Sequence, residues 1–166
     1  MRHALLLMLA IGTLQAENHL TTTGTERYFN VVRRNLEASA DAMPADKYSF
    51  KLTDGQMSFA QWLVHSIQRN YSDCATLKGE AVPAGERQAA GLKEKAEVVK
   101  ALKDSFAYCA DALQNMTDQK AGSSAPMSMA FLHLLAHNNE ICGNVVGYLR
   151  VSGIVPPSTA SRKKGK

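Results

Sequence analysis

The chain has 166 residues, 45% of them hydrophobic, which is enough for one domain with a continuous core and too few for two ordinary domains. Its formal net charge is +4, and four of its positive charges lie in the last five residues, at Arg162, Lys163, Lys164 and Lys166. Without those four residues and Arg2 the net charge is −1. A basic face for nucleic acid is therefore not expected on the folded part.

The first 16 residues have the pattern of a secretory signal peptide. Arg2 and His3 precede an uninterrupted apolar run from Ala4 to Ile11, and small or compact residues follow up to Ala16. The run is much shorter than the roughly 20 residues that span a bilayer, and no later segment is uniformly apolar over that length. We predict cleavage after Ala16, an extracytoplasmic mature chain, either periplasmic or secreted, and no stable membrane anchor.

The mature chain is predicted to be all-α. Apolar residues at helical spacing, bounded by proline, glycine and capping residues, predict four helices and no further elements, at about 25–43, 58–77, 92–116 and 125–151. The domain would cover residues 25–157, with a polar linker at 17–24 before it and a basic disordered tail at 158–166 after it. Residues 127–136 are apolar nearly all round, so this half of the fourth helix is expected to be the most buried element.

Three histidines lie on the predicted helices. His133 and His137 are one turn apart on the fourth helix, and His65 is on the second. An H-x-x-x-H pair directs two imidazoles to one point, and a third ligand from another helix completes a metal site with open positions. The alternative is that these imidazoles are simply hydrogen-bonded in the interior, because an isolated pair of this kind is a weak signal.

Three stretches of the sequence carry a family resemblance. The first is residues 43–50 (MPADKYSF), and the second is residues 58–65 with Asn70 and Tyr71. The third is residues 137–144 (HNNEICGN), and it continues to Tyr148-Leu149-Arg150 and to residues 153–157 (GIVPP). Together they span nearly the whole mature chain, which resembles the DinB-like superfamily of four-helix bundles that includes YfiT-type proteins. The resemblance implies an up-down-down-up topology, in which the second and third helices are parallel across a long connection.

The resemblance also implies a metal site. Such families hold a metal with one histidine of the second helix and two of the fourth, which correspond here to His65, His137 and position 141. Position 141 is Ile, which has no ligand atom, so His133 is expected to substitute as the third ligand, with Glu140 as the other candidate. The implied cofactor is a divalent transition metal, Zn or Ni, and the implied activity is transfer of a low-molecular-weight thiol to an electrophile.

The three cysteines, Cys74, Cys109 and Cys142, make an odd count for an oxidising compartment. One disulfide with one free thiol is a natural expectation there, and three buried reduced thiols are the alternative. In the topology that the resemblance implies, a bridge between Cys74 and Cys109 becomes geometrically possible.

Two functions stay open at this point. One is an exported, metal-dependent transferase that uses His65, His137 and His133. The other is a non-catalytic exported bundle that binds a small thiol or apolar ligand, or a protein partner. Ile141 favours the second and the retained His65 and His137 favour the first. Chains of the resembling family are often dimers, so the resemblance makes a homodimer one possible state, and the sequence alone leaves the oligomeric state open.

Overall fold

The structure is a computed structural model that describes residues 20–163, and in that range the protein is helical without any β-strand. This confirms the predicted all-α class. In chain order the elements are α1 (Leu20–Ala42), a 3₁₀ helix (Ala45–Lys47), α2 (Phe59–Lys78), α3 (Gly85–Ala89), α4 (Lys95–Gln114), α5 (Asp118–Ala121), α6 (Ala125–Val151) and α7 (Pro157–Lys163). The four long helices are the predicted ones. The expectation that they are the whole architecture was wrong, because α3, α5 and α7 are additional.

Local capping signals define α2 and α6. The Ser58 hydroxyl accepts the backbone N–H of Gln61, and the Gln61 side chain accepts the N–H of Ser58, which is a capping box. At the start of α6 the Ser124 hydroxyl accepts the N–H of Met127, with Pro126 in the first turn. Both starts were therefore predictable from sequence.

The start of α1 differs from the prediction. The helix begins at Leu20, inside the segment that we expected to be a linker, and not at Thr25. The backbone N–H of Thr22 donates to the Asp118 carboxylate at 2.8 Å, so a residue of α5 caps the first turn from a distance in sequence. The predicted signal peptide, its cleavage site and residues 17–19 lie outside the described residues.

The predicted disordered tail is also helical over most of its length. Pro157 opens α7, which continues to Lys163, and the N–H groups of Thr159 and Ala160 both donate to the carbonyl of Pro156. Proline at the first helical position is favourable because its missing N–H would be unpaired there in any case. Residues 164–166 lie outside the described range.

The N-terminal half of α6 is less buried than expected. Met129 and Leu132 are 65% and 64% exposed, although Ala130, Phe131 and Leu134 beside them are buried. Only one face of this apolar segment therefore packs against the bundle, and a second apolar face points to solvent.

Contacts between the long helices define their relative directions. Asn70 of α2 donates to Ser105 of α4, and Cys74 of α2 is bonded to Cys109 of α4 with a Cα–Cα distance of 5.2 Å. Each of these contacts joins residues 35 apart in sequence. A constant offset is the pattern of two helices that run in the same direction.

The pair of α1 and α4 has the opposite pattern. The ring of Phe29, early in α1, packs against Phe106, late in α4, whereas Lys95 at the start of α4 donates to the Met43 carbonyl just beyond α1. Such contacts join the beginning of one helix to the end of the other, as in antiparallel packing.

The core lies between the four long helices. Its largest fully buried side chains include an aromatic group at one end of the bundle, where Tyr48 and Tyr148 pack around Phe59. The Tyr148 hydroxyl donates to the Met57 carbonyl, which holds the connection before α2 against α6. None of the helices in residues 20–163 combines the length and the apolar character needed to cross a membrane.

Candidate functional site

The antiparallel pair α2 and α6 brings the three histidines together. His65 lies in the second turn of α2, and His133 and His137 lie in the middle of α6. The side chain of His137 is 15% exposed and that of His133 is 33% exposed, so the cluster lies at the edge of the helix interface.

His65 and His137 contact each other directly. Their Nε2 atoms are 3.0 Å apart, and the rings meet edge to face with centroids 4.8 Å apart. Since one nitrogen must donate and the other accept, the two neutral imidazoles form a hydrogen bond. His137 Nδ1 lies 3.5 Å from a Glu140 carboxylate oxygen, which favours the tautomer with the proton on Nδ1 of His137. On this assignment His65 donates and His137 accepts.

His133 has a different partner. Its ring stacks on that of His137, with centroids 4.7 Å apart and an interplanar angle of 18°. Its Nδ1 lies 2.7 Å from one oxygen of Asp73, whose other oxygen accepts a hydrogen bond from Arg69 at 3.0 Å. An ionised carboxylate only accepts, so His133 donates from Nδ1 and is held toward Asp73.

Sequence analysis missed Asp73 and Arg69 as members of the cluster. The two residues are spaced four apart, which is the spacing of an ordinary ion pair on the surface of a helix. Asp73 is nevertheless buried, with a side chain that is 7% exposed. An aspartate eight residues, or slightly more than two helical turns, beyond His65 on α2 was the available signal.

Position 141, the family's third ligand position, is part of the core. Ile141 is fully buried among the apolar side chains of the bundle. The neighbouring Cys142 carries the free thiol, and burial raises the pKa of that thiol, so it is not activated as a nucleophile.

The residues present do not fit the three-histidine metal site that the resemblance implies. His65 and His137 converge, but His133 lies parallel to His137 and is bonded to Asp73, and Ile141 offers no donor atom. Across residues 20–163, no group of three or more His, Cys, Asp or Glu side chains is arranged to hold a metal ion. The donor set therefore provides two converging nitrogens from the protein and no third ligand.

The surroundings favour the neutral forms of the His65–His137 pair. Burial lowers the pKa of His65, and the nearby Arg69 guanidinium acts in the same direction. Burial is also the main cause that lowers the pKa of His137, and the adjacent imidazoles of His133 and His65 lower it further. Glu140 opposes both shifts without reversing them.

A buried polar network lies next to the histidines. Ser66 donates to the Asn138 side chain at 2.6 Å, Asn138 donates to Asn70 at 2.7 Å, and Asn70 donates to Ser105 at 3.1 Å. All four side chains are essentially inaccessible to solvent. The network joins α2, α4 and α6, and its polar atoms are paired with each other and with backbone carbonyls.

Cys74 and Cys109 form a disulfide in the interior between α2 and α4, and Cys142 is free. The Cys109 sulfur also lies near the carbonyl oxygen of Asn70, so the bridge adjoins the polar network.

A family model described as the DinB superfamily matches residues 28–140, which is more than half of the chain and ends one residue before Ile141. No curated protein and no solved structure matches the chain. The matched region contains most of α1, all of α2 and α4, and both histidines of the converging pair, and the chain therefore belongs to the DinB superfamily.

Proposed function

We propose that this protein is an exported DinB-superfamily bundle that is not a metalloenzyme and acts by binding a ligand or partner. The observation that carries this proposal is the commitment of His133 to Asp73 at 2.7 Å, together with the buried Ile141 at the family's third ligand position. A metal held by His65 and His137 alone would lack the third protein ligand that catalytic sites of this type use.

The proposal includes the up-down-down-up topology. It is supported by the constant offset of the contacts between α2 and α4, and by the antiparallel contacts of α1 with α4 and of α2 with α6. Residues 79–94 would be the long crossover that this topology requires.

Export is supported by two features. The first 16 residues have the order of a signal peptide, with a basic start, an apolar run and a small residue at the predicted cleavage site. The Cys74–Cys109 disulfide is the kind of bond that persists in oxidising compartments.

Export can be tested with the full chain expressed in a bacterial host. We expect the protein in the periplasmic or extracellular fraction, with an N-terminus that starts at Glu17. A variant with Leu6 and Leu9 changed to Arg should stay inside the cell and keep residues 1–16. Recovery of the unchanged chain from the cytoplasm with its first 16 residues intact would contradict the prediction.

The metal content of the mature chain tests the loss of the metal site. Residues 17–166 are purified without a His tag or chelating resin, beside the variants Ile141→His and His137→Ala. We expect well below one equivalent of Zn or Ni for the natural sequence. The Ile141→His variant should approach one equivalent, because it places a third imidazole one turn beyond His137. Adding His137→Ala to it should remove the metal.

The second candidate function is the metal-dependent thiol transfer that the family resemblance implies. The observation in its favour is the 3.0 Å approach of the His65 and His137 Nε2 atoms, because two of the expected ligands remain together. Near-stoichiometric metal in the natural sequence that disappears in His137→Ala would favour this function and overturn the first.

A further inference from the structure

A cavity of about 280 Å³ lies over the first two turns of α2, separate from the histidine cluster. The connection before α2 forms one wall, with Tyr48 and Lys51, and the crossover after α3 forms the other, with Leu92 and Lys93. Its lining residues include no histidine and none of the family's ligand positions.

The floor of the cavity is apolar. Ala60 and Val64 of α2 are buried there beside the ring of Tyr48 and the partly buried Leu92. The Tyr48 hydroxyl donates to the Ala40 carbonyl at 2.7 Å, so the phenol is tied to the bundle and presents only its ring to the cavity. Such a surface accommodates an alkyl or aryl group.

The charged side chains of the cavity have one sign. Lys51 and Lys93 are exposed, and the lining contains no carboxylate. Neither lysine forms an ion pair with any described residue, whereas Lys78, Lys100 and Lys103 all do. Two unpaired ammonium groups beside an apolar floor suit a ligand with a negatively charged head.

The backbone N–H groups at the start of α2 do not contribute to the preference for a negatively charged ligand. The N–H of Phe59 donates to the Phe50 carbonyl, that of Ala60 to the Tyr48 carbonyl, and that of Gln61 to the Ser58 hydroxyl. The same hydrogen bonds fix the connection before α2 against the start of that helix. Recognition of an anion would therefore come from the two lysines.

We infer that this cavity binds a small organic anion with an apolar body, of the short-chain or aromatic carboxylate class. The apolar body lies on Ala60, Val64 and Leu92, and the carboxylate lies between Lys51 and Lys93. The inference rests on the proposed binding role and names its ligand class. The metal content of the mature chain tests the proposed binding role separately. The binding role and the ligand class of the cavity can therefore be disproved independently of each other.

The test is isothermal titration calorimetry of the mature chain with octanoate, at concentrations below the one at which octanoate forms micelles. We expect one site per chain with a dissociation constant on the order of 1 mM or lower, as a ligand of this size allows. Octanol and inorganic phosphate are titrated in parallel. Each should bind at least roughly tenfold more weakly, because one lacks the charge and the other lacks the apolar body.

Two variants locate the site. Lys51→Gln combined with Lys93→Gln should weaken octanoate binding by roughly tenfold or more, whereas Lys100→Gln with Lys120→Gln removes the same charge elsewhere and should leave it unchanged. Ala90→Phe fills the cavity from an exposed lining position, so it should abolish binding while the helical circular-dichroism spectrum is retained.

The inference would be overturned by octanoate that shows no saturable binding to the natural sequence. Equal binding of octanol, or equal weakening in the two double-lysine variants, would overturn it as well, because either result would show that the lysines do not recognise a carboxylate.

Discussion

The hydrogen bond between His133 and Asp73 is the contact that separates this histidine cluster from a metal site. It joins an imidazole that is one-third exposed to a buried carboxylate that also binds Arg69. A charge-assisted hydrogen bond at a buried acceptor contributes more than an ion pair on the surface.

A double-mutant cycle with Asp73→Ala and His133→Ala measures this contact. We expect a coupling free energy of about 1 to 2 kcal/mol from urea unfolding at pH 7. The matched control is the exposed Lys100–Asp104 pair, which has the spacing of a single helical turn and should couple by less than about 0.5 kcal/mol. Equal coupling in the two pairs would show that Asp73 does not hold His133.

The lowered pKa values of His65 and His137 predict a pH dependence of stability. The unfolded chain takes up protons near pH 6.5, whereas the folded chain takes them up only at lower pH. The free energy of unfolding should therefore be constant above about pH 7.5 and decrease as the pH falls through 6.5 toward the folded pKa values.

Urea unfolding at several pH values between about 7.5 and 5.5 checks this prediction. The slope should be smaller in a variant with His65→Gln and His137→Gln, while Arg69, Glu140 and His133 around the pair are unchanged. An identical slope in the variant would mean that other groups account for the pH dependence.

The sequence identified the residue types of the site but not their pairing. His65, His133 and His137 were all named as a cluster, because helical spacing and the family resemblance place them on facing helices. The orientation of His133 depends on Asp73, which lies on another helix 60 residues away in sequence. A contact of that kind depends on the relative rotation of two helices, and no local pattern reports it.

At the scale of the helices, the buried polar network joins α2, α4 and α6 through hydrogen bonds. Asn138 accepts from Ser66 and donates to Asn70 and to the Leu134 carbonyl. Every hydrogen-bonding group that its side chain offers in the interior is therefore used. Its removal would leave polar atoms of two neighbours without partners.

The variant Asn138→Ala should therefore lose about 2 to 4 kcal/mol of the free energy of unfolding. Asn144→Ala is the matched control on the same helix, because Asn144 is only partly buried and donates an exposed hydrogen bond to the carbonyl four residues before it. That control should change stability by less than about 0.5 kcal/mol, and urea unfolding of both variants gives the comparison. Equal losses of stability in the two variants would show that the buried polar network adds nothing to the contribution of the apolar core.

Helix boundaries were predictable where the capping residues are local. Ser58, Ser124 and Pro126 act within one turn of the residues they cap, so α2 and α6 begin where the sequence indicates. The first turn of α1 is instead bonded to Asp118, which is 96 residues away. The apolar pattern alone also overestimated the burial of residues 127–136, because it does not show which faces have a neighbour.

At the scale of the whole molecule, the disulfide joins α2 and α4, the two helices on either side of residues 79–94. It closes a loop of 35 residues, which on the chain-entropy model contributes roughly 3 to 4 kcal/mol. A variant with Cys74→Ser and Cys109→Ser should lose about that much free energy of unfolding. Cys142→Ser provides the control that removes a thiol without opening the loop.

The measurement is urea unfolding of the oxidised natural chain, the double variant and the control. Reduction of the natural chain should reproduce the loss seen in the double variant and should leave that variant unchanged. If the double variant is as stable as the oxidised natural chain, the disulfide contributes no stability and helix packing alone holds residues 74–109 in place.

The up-down-down-up topology that we propose comes from the family resemblance, because periodicity does not report helix direction. A hairpin and a crossover place the same apolar stripes along the same helices, so residues 79–94 fit either connection. The family resemblance raised the Cys74–Cys109 bridge as a possibility, whereas the residues alone left three reduced thiols equally open. In the structure the two sulfur atoms are bonded.

The position of this bridge also makes the protein tolerant of a broken backbone. Cys74 and Cys109 flank the connection at residues 79–94, so a protease that cuts there leaves both fragments covalently joined. Such a nicked molecule would run as one band in a non-reducing gel and as two bands after reduction. New chain ends could be opened in this connection, as in a circular permutant, without separating α2 from α4.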